Sequence, residues 1–323
     1  MNLGLVITDR CNAACAHCST SCGPSRTAAL TADQVKDLMN QAVALSDGDA
    51  PTFGITGGEP FLDFDQLLEL VAHGTVVGGR VTCMTNAYWA TSDDKARAML
   101  VALKRAGLRT LGVSTSRFHE RFVSRERVKR ALRLSREAGI VTALKCALTE
   151  SDRSDIDGLE PWARRAGADF LELFPVLPYI REGEAWPEAE FSRQPGLPEG
   201  TCPAPQVTVR PNGMAYTCCH PGATGDFHSL GNAADGLASI RDAFHLGGKL
   251  RILRDRGPAH FARAIQQAGK GSLLRNAYAS VCDLCAHVAA EPELAAVAET
   301  VAKDYERRYL EEIFAELARL APA

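Results

Sequence analysis

An α/β architecture, with repeated strand–helix units forming a parallel sheet and a smaller cysteine-bearing domain behind it, is the fold the sequence predicts. Three observations predict it. From residue 1 to about 175, short β-branched apolar runs alternate with amphipathic helical stretches, the pattern of strands joined by crossover helices. At 323 residues, with 46% hydrophobic and 23% charged side chains, the chain can bury a full core and is long enough for one large domain and a small one. Residues 176–201 are rich in Pro, Gly and Glu and read as a linker, which divides the chain into domains 1–190 and 191–323.

The elements follow in order. Strands are expected near Leu3–Thr8, Thr52–Thr56, Arg80–Met84, Thr110–Ser114, Val141–Ala147 and Phe170–Leu173. Helices are expected near Ala32–Leu45, Phe64–Ala72, Ser92–Ala106, Ser124–Ala138 and Asp155–Ala166, with Thr31, Ser92 and Ser124 as N-caps. Six right-handed units give a partial (β/α)6 barrel, an open relative of the eight-stranded one, whose functional groups gather at the C-terminal ends of the strands. Beyond the linker, Gln206–Arg210 and Met214–Cys218 flank Pro211-Asn212-Gly213, a turn signal that predicts a β-hairpin. A less regular stretch leads to Cys282-x-x-Cys285, and Glu293–Leu320 predicts a long amphipathic closing helix that covers the core.

A net charge of −3 without a basic run leaves no electrostatic footprint for a nucleic-acid backbone. The N-terminus lacks a signal-peptide pattern and no apolar run is long enough to span a bilayer, so a cytosolic protein without membrane partners is expected. The eleven cysteines then point to metal or redox chemistry rather than disulfides. Cys11, Cys15, Cys18 and Cys22 open the chain, Cys202, Cys218, Cys219, Cys282 and Cys285 occupy its last third, and Cys83 and Cys146 stand alone between them. Two metal sites are expected.

Three thiolates on one short loop, spaced CxxxCxxC at Cys11, Cys15 and Cys18, can ligate three irons of a [4Fe–4S] cube and leave the fourth without a protein ligand. A zinc knuckle is the alternative; it needs a fourth ligand, for which Cys22 is available, with His17 inside the loop. The stretch resembles the radical S-adenosylmethionine (SAM) superfamily, in which the vacant iron is chelated by the amino and carboxylate groups of the methionine moiety. Thr56-Gly57-Gly58-Glu59-Pro60 resembles the GGE motif of that superfamily. Its paired glycines let a backbone approach a ligand closely, and the Glu59 carboxylate complements an ammonium. Alternation along the strands puts Met84 and Asn86 on one face, Gly112 and Ser114 on one face, and Lys145 with Ala143 and Ala147, which turns Cys83 and Cys146 outward as packing residues. The resemblance implies that Asn86, Ser114 and Lys145 join Gly57, Gly58 and Glu59 around the cofactor.

The second group provides five thiols for a site that needs four, and a zinc ribbon has similar spacing. The arrangement resembles the shortened "twitch" form of the SPASM domain, which implies an auxiliary [4Fe–4S] cluster on Cys202, Cys218, Cys282 and Cys285. Neighbouring residues on a strand point to opposite sides, so if Cys218 faces the cluster, Cys219 faces away. Its S–H bond is weak enough to give a hydrogen atom to a carbon radical; the alternative is a small buried hydrophobe.

The run from Cys202-Pro203 through Pro211-Asn212-Gly213-Met214-Ala215-Tyr216-Thr217-Cys218-Cys219-His220-Pro221 to Cys282-Asp283-Leu284-Cys285 resembles the radical SAM peptide epimerases of the epipeptide type. So do Thr85-Asn86-Ala87-Tyr88-Trp89 and Ser114-x4-His119-x2-Phe122. The resemblance implies an isomerase acting on a small ribosomally synthesised precursor peptide, with an electron donor such as flavodoxin or ferredoxin. A 5′-deoxyadenosyl radical would abstract a Cα hydrogen, Cys219 would return hydrogen to the opposite face, and the auxiliary cluster would help restore the thiol. The chain enters its first strand at once, so peptide recognition is expected at the barrel mouth or on a separate protein. One departure stands out: Ser116 and Arg117 occupy the place after the fourth strand where an acidic residue is expected. Other chemistries remain open on the residues alone, namely a thioether or carbon–carbon crosslink, an epimerised or oxidised sugar, or a zinc-stabilised binding module without catalysis.

Overall fold

The apolar run Leu3–Val6 forms the wholly buried strand β1 of the computed structural model, which describes residues 1–46, 48–203, 205–218 and 225–320. Five more strands follow, each after a helix: β2 (Thr52–Thr56), β3 (Arg80–Thr85), β4 (Thr110–Thr115), β5 (Val141–Leu148) and β6 (Phe170–Pro175). The intervening helices are α1 (Ala32–Ala44), α2 (Phe64–Val76), α3 (Asp93–Ala106), the single turn α4 (Arg117–Glu120), α5 (Arg125–Glu137) and α6 (Ile156–Ala166). The strands pair in parallel in chain order, with Leu3 opposite Phe53, Thr52 opposite Arg80, Thr82 opposite Thr110, Thr110 opposite Val141 and Ala143 opposite Phe170. This is the parallel strand–helix architecture the sequence predicts.

Local chemistry explains the helix ends. Thr31 closes a capping box with Gln34: the Gln34 N–H donates to the Thr31 hydroxyl at 3.2 Å and the Thr31 N–H to the Gln34 side chain at 2.9 Å. Ser92 accepts from the Lys95 N–H at 3.3 Å, whereas Ser124 makes no capping bond with its side chain. A cap contributes about 1 kcal/mol. The buried face of α1, Val35, Leu38, Met39 and Ala42, outweighs it, since each fully buried Val, Leu or Met side chain contributes about 1.5–3 kcal/mol. Packing therefore holds the helix, and the cap sets where it starts.

Two compact units result. One comprises Met1–Ser192, Gln206–Ala215 and Asn232–Ala238; the other comprises Arg193–Pro205, Tyr216–Gly231 and Ser239–Ala323. The first unit is discontinuous, since later segments return to it. The strand Pro205–Val209 pairs in parallel with β1, Leu3 opposite Val207, on the side away from β2. The expected turn follows it: Arg210 N–H donates to the Met214 carbonyl at 3.0 Å and Gly213 N–H to the Arg210 carbonyl at 2.8 Å, with Gly213 at φ +79°. The next strand, Met214–Cys218, changes unit after Ala215.

In the second unit the less regular stretch of the sequence is helical. Leu237–Leu246 starts just before it, and Gly248–Asp255, Ala259–Gln267, Val281–Ala290 and Pro292–Leu320 lie within it. Its core gathers Phe227, Ile252, Phe261, Ile265, Tyr278 and Leu284. The closing helix contributes Leu294, Ala298 and Ala302 at four-residue spacing, one stripe of its surface. Among the described residues no helix is long and apolar enough to cross a membrane.

Candidate functional site

The loop after β1 is shaped by its own backbone. Gly23 N–H donates to the Asp9 carbonyl at 3.2 Å and Cys11 N–H to the Gly23 carbonyl at 3.1 Å, closing the loop, while Cys18 N–H reaches the Cys15 carbonyl at 3.0 Å inside it. Cys11, Cys15 and Cys22 are buried in one apolar cluster with Phe118, Ala147, Val176 and Phe191, and Cys18 packs against it. Burial is the main force pushing the Cys11 thiol up to about 11 and the Cys15 thiol up to about 12. The hydroxyl of Thr20 lies 3.2 Å from the Cys18 sulfur and 3.1 Å from the Cys22 sulfur. Hydrogen bonding with Cys22 first, and with Thr20, holds the Cys18 thiol down to about 5, whereas its bond with Cys18 and then burial drive the Cys22 thiol far up, against a lowering by Thr20. Four thiols gathered in an apolar recess are costly as thiolates unless a cationic centre neutralises them, so this donor set fits an iron–sulfur cube. Among the described residues no three His, Cys, Asp or Glu are grouped to hold one metal ion, whereas the thiolates of a cube serve different irons.

The Gly57-Gly58-Glu59 turn lies against this loop. Gly58 N–H donates to the Thr8 carbonyl at 2.6 Å and Glu59 N–H to the Arg10 carbonyl at 2.9 Å. A Cβ on Gly57, which sits at φ +154°, would meet the Thr8 carbonyl oxygen at 2.5 Å, and one on Gly58 would meet that of Arg10 at 2.1 Å. The glycines thus let the end of β2 close on the chain that leads into Cys11, an approach of protein to protein that the sequence reading assigned to a ligand. The Glu59 carboxylate is wholly buried. It accepts from Thr85 Oγ1 at 2.8 Å, Asn86 N at 2.7 Å and Phe61 N at 3.2 Å, so it fixes the end of β3.

Asn86 extends from that end toward the cysteines, its Nδ2 lying 3.7 Å from Cys11 Sγ and 2.9 Å from Asn12 Oδ1. Thr85 Oγ1 also accepts from Ala87 N at 3.0 Å and Trp89 Nε1 at 2.9 Å. Trp89 stacks on Phe61 with ring centroids 4.5 Å apart. Ala87 is buried in the left-handed region at φ +64°, a strain that this dense bonding sustains. Ser114 and Lys145 lie side by side in the β4–β5 register. Gly112 leaves room for its neighbours: a Cβ there would stand 2.2 Å from Met84 Sδ and 3.3 Å from Lys145 Cε. The Lys145 amine is hydrogen-bonded to Glu172 of β6. Cys83 and Cys146 are buried, and Cys146 lines a cavity with α5 and α6 side chains such as Arg125 and Trp162.

The sequence reading missed several residues. Arg181, within the supposed linker, donates from Nε to the Cys15 carbonyl at 3.0 Å and from its terminal nitrogen to the Cys22 carbonyl, while its own N–H donates to the Ala16 carbonyl at 3.1 Å. Ile180, Trp186 and Phe191 add apolar cover to the cysteine cluster. His17 is held neutral, its pKa down to about 4, by burial first and then by Arg181, and its buried Nδ1 has no hydrogen-bond partner. That orphaned atom beside the loop is what an absent ligand would leave. The rings of His17 and His119 stand 4.8 Å apart between centroids, and Ser116 Oγ fixes His119 at 2.8 Å from its Nδ1. Ser116 therefore orients a histidine, and Arg117 pairs with Glu190 at 2.9 Å and Asp152 at 3.4 Å.

In the second unit, Cys202, Cys218, Cys282 and Cys285 line one pocket together with His228, with Leu250, Leu253 and Pro258 among its apolar walls. Cys282 and Cys285 share a face of the first turn of Val281–Ala290, three residues apart, where Ser280 accepts from the Asp283 N–H at 3.3 Å. Asp283 is itself buried and accepts from Arg275 Nη1 at 2.9 Å. Burial, then the neighbouring Cys282 and Cys202, push the Cys285 thiol far up. Four thiols that line one pocket with apolar walls fit a second cube on the same chemical grounds as the first. Cys219 lies outside the described residues.

Residues 5–150 match the family model of the Radical SAM superfamily, and the chain carries a domain of that superfamily there. Such a domain works with a [4Fe–4S] cluster and SAM, which makes this a radical SAM enzyme. The chain is also similar to YydG of Bacillus subtilis (strain 168), provisionally named a peptide biosynthesis protein, with 24% identity over 219 residues, 67% of this chain and 68% of that one. Among solved structures it resembles native anSMEcpe with bound AdoMet and the Cp18Cys peptide, at a TM-score of 0.58 and 15% identity over 93% of this chain and 100% of that one. BtrN in complex with AdoMet and 2-DOIA follows at a TM-score of 0.50 and 17% identity, over 80% and 91% of the two chains. At these identities the structural likeness is one of fold.

Glu59→Gln tests the buried carboxylate. Burial raises its pKa to about 7 from an ordinary 4.5, against the three hydrogen bonds that favour the anion. The folded protein therefore holds a proton that the unfolded chain has lost between those values, and this contribution to stability, complete below pH 4.5, is lost as pH rises through 7. An amide there must also turn its NH2 toward a donor, a cost of about 1–3 kcal/mol. Urea unfolding should show a variant whose deficit is largest near pH 5 and shrinks toward pH 8. Equal stability at both values would show that Glu59 does not organise this turn.

Proposed function

We propose that this protein is a radical SAM peptide epimerase that converts L- to D-residues in a ribosomally synthesised peptide. The observation that carries the reading is the convergence of Cys202, Cys218, Cys282 and Cys285 on one pocket. A cube needs four thiolates, so Cys219, next in the chain after a ligand, is left over for chemistry. The name of YydG, a relative over two thirds of the chain, supports a peptide as substrate.

When bound to the first loop, the cluster and SAM supply a radical that takes the hydrogen from one face of a peptide Cα. Cys11, Cys15 and Cys18 hold the cube, and the Gly57-Gly58-Glu59 turn, Asn86, Ser114 and Lys145 form the SAM side of the site. Cys219 breaks its S–H bond and forms the new Cα–H bond on the opposite face, which leaves the D-residue and a sulfur-centred radical. One electron and one proton restore the thiol. Cys202, Cys218, Cys282 and Cys285 would hold a second cluster able to supply that electron, with a donor such as flavodoxin or ferredoxin as its source. Inversion is then a matter of where abstractor and donor stand, with no acid–base step at Cα.

The test is incubation with a small precursor peptide in D2O. One deuterium at Cα with inversion is expected, because the thiol exchanges with solvent; a product two mass units lighter, the mark of a crosslink or oxidation, overturns the reading. Cys219→Ala should keep cleaving SAM while losing inversion to the limit of detection.

A further inference from the structure

His228 is an unassigned member of the second cysteine pocket. It ends the short turn Asp226–His228, is 2% exposed, and its ring packs edge-on to Phe227 at 5.0 Å between centroids. The imidazole is held from both sides. Its Nδ1 lies 3.3 Å from Thr217 Oγ1, and its Nε2 lies 3.8 Å from Cys285 Sγ.

A cluster-bound Cys285 is a thiolate and has no proton to give, so the nitrogen facing it has to carry one. A neutral imidazole with hydrogen on Nε2 accepts at Nδ1, and the Thr217 hydroxyl is placed to donate there. Thr217 thereby selects the tautomer, as outer partners do for histidines at metal sites.

We infer that His228 donates an Nε2–H···S hydrogen bond to Cys285 and so sets the reduction potential of the auxiliary cluster, with Thr217 as its positioning partner. The inference rests on the two-cluster reading proposed above. A donor on a ligating sulfur withdraws charge from the cluster and favours the reduced form, since hydrogen bonds to the sulfurs are among the determinants of potential. The effect suits a cluster that must accept an electron from a soluble donor and pass it on. With the imidazole buried and the pocket walls apolar, the low local dielectric makes such a bond stronger than it is in water.

The test uses the reconstituted full-length protein and reads iron content, the EPR spectrum and the midpoint potential of each cluster. His228→Leu should retain about eight irons, as two cubes require. Its auxiliary potential should fall by up to a tenfold change in the reduction equilibrium, about 59 mV for one electron, and the first cluster should not shift. His228→Gln, which keeps an N–H at similar reach, should recover most of that shift. Thr217→Val should move the potential in the same direction by less, and it carries the test if His228→Leu does not fold or load.

An unchanged auxiliary potential in Thr217→Val and in loaded His228→Leu overturns the role of His228 alone. So does a strong nitrogen hyperfine coupling in the wild-type protein, the sign of direct ligation by the imidazole. Only four irons in the wild-type protein, or zinc in the second site, overturns the two-cluster reading and the role of His228 with it.

Discussion

Cys11→Ala, Cys15→Ala and Cys18→Ala are each expected to cut iron from about eight to about four per chain and to abolish SAM cleavage, whereas Cys22→Ala is expected to keep both. The four thiols share one apolar recess, so burial does not separate them. Spacing and partners do. Cys22 lies outside the CxxxCxxC spacing, and Thr20 bridges it to Cys18. These contacts make it a support for a ligand. Its loss should cost on the order of 1 kcal/mol of stability, the ordinary effect of a small buried change, and little activity. Iron analysis and absorbance near 400 nm on anaerobically reconstituted variants decide the matter. If Cys22→Ala loses the same four irons while its circular dichroism is native, Cys22 is a fourth ligand. No iron is then free for SAM, and the proposed function fails.

Arg181→Ala is expected to strip the first cluster far faster than wild type under a chelator, with the second cluster untouched. The guanidinium bonds two carbonyls of the cysteine loop, and a hydrogen bond to a charged group contributes about 1.5–3 kcal/mol when its partner is otherwise satisfied. Its positive charge also favours the thiolate forms of Cys11, Cys15 and Cys18. The two effects separate in Arg181→Lys, which keeps the charge and loses the fork. Cluster release at rates between those of wild type and Arg181→Ala is expected, together with faster proteolysis within residues 176–192. Wild-type release rates in Arg181→Ala would mean that the segment merely lies over the loop.

Much of this was legible in the sequence because the signals are local. The period of the strand–helix units, the caps Thr31 and Ser92, the turn at Pro211-Asn212-Gly213 and the cysteine spacings each depend on residues close in the chain. The outward turn of Cys83 and Cys146 needed only the alternation of a strand. What escaped depends on partners far apart. Arg181 is one basic residue in a Pro- and Gly-rich stretch, and nothing near it signals the loop it binds 159 and 166 residues away. Glu59 carries a charge suited to an ammonium, yet the chain folds three of its own donors onto it. The helices between residues 237 and 267 are 8–10 residues long and broken at Gly247 and Gly257-Pro258, too short for a 3.6-residue period to emerge. His228 stands 57 residues from Cys285 in the chain, and no spacing rule links a lone histidine to a distant cysteine pair.

The return of Gln206–Ala215 to the first unit bears on how such enzymes can be recombined. A cut near residue 190 would strip β1 of the neighbour that covers its outer edge and bare a row of backbone donors and acceptors, an invitation to aggregation. The strand Met214–Cys218 serves one unit with its first residues and brings a cysteine to the other with its last. Modular exchange of the cysteine-bearing part among relatives would have to leave that hairpin with its host and make its joint inside a β-strand, where a one-residue slip turns Cys218 to the wrong face.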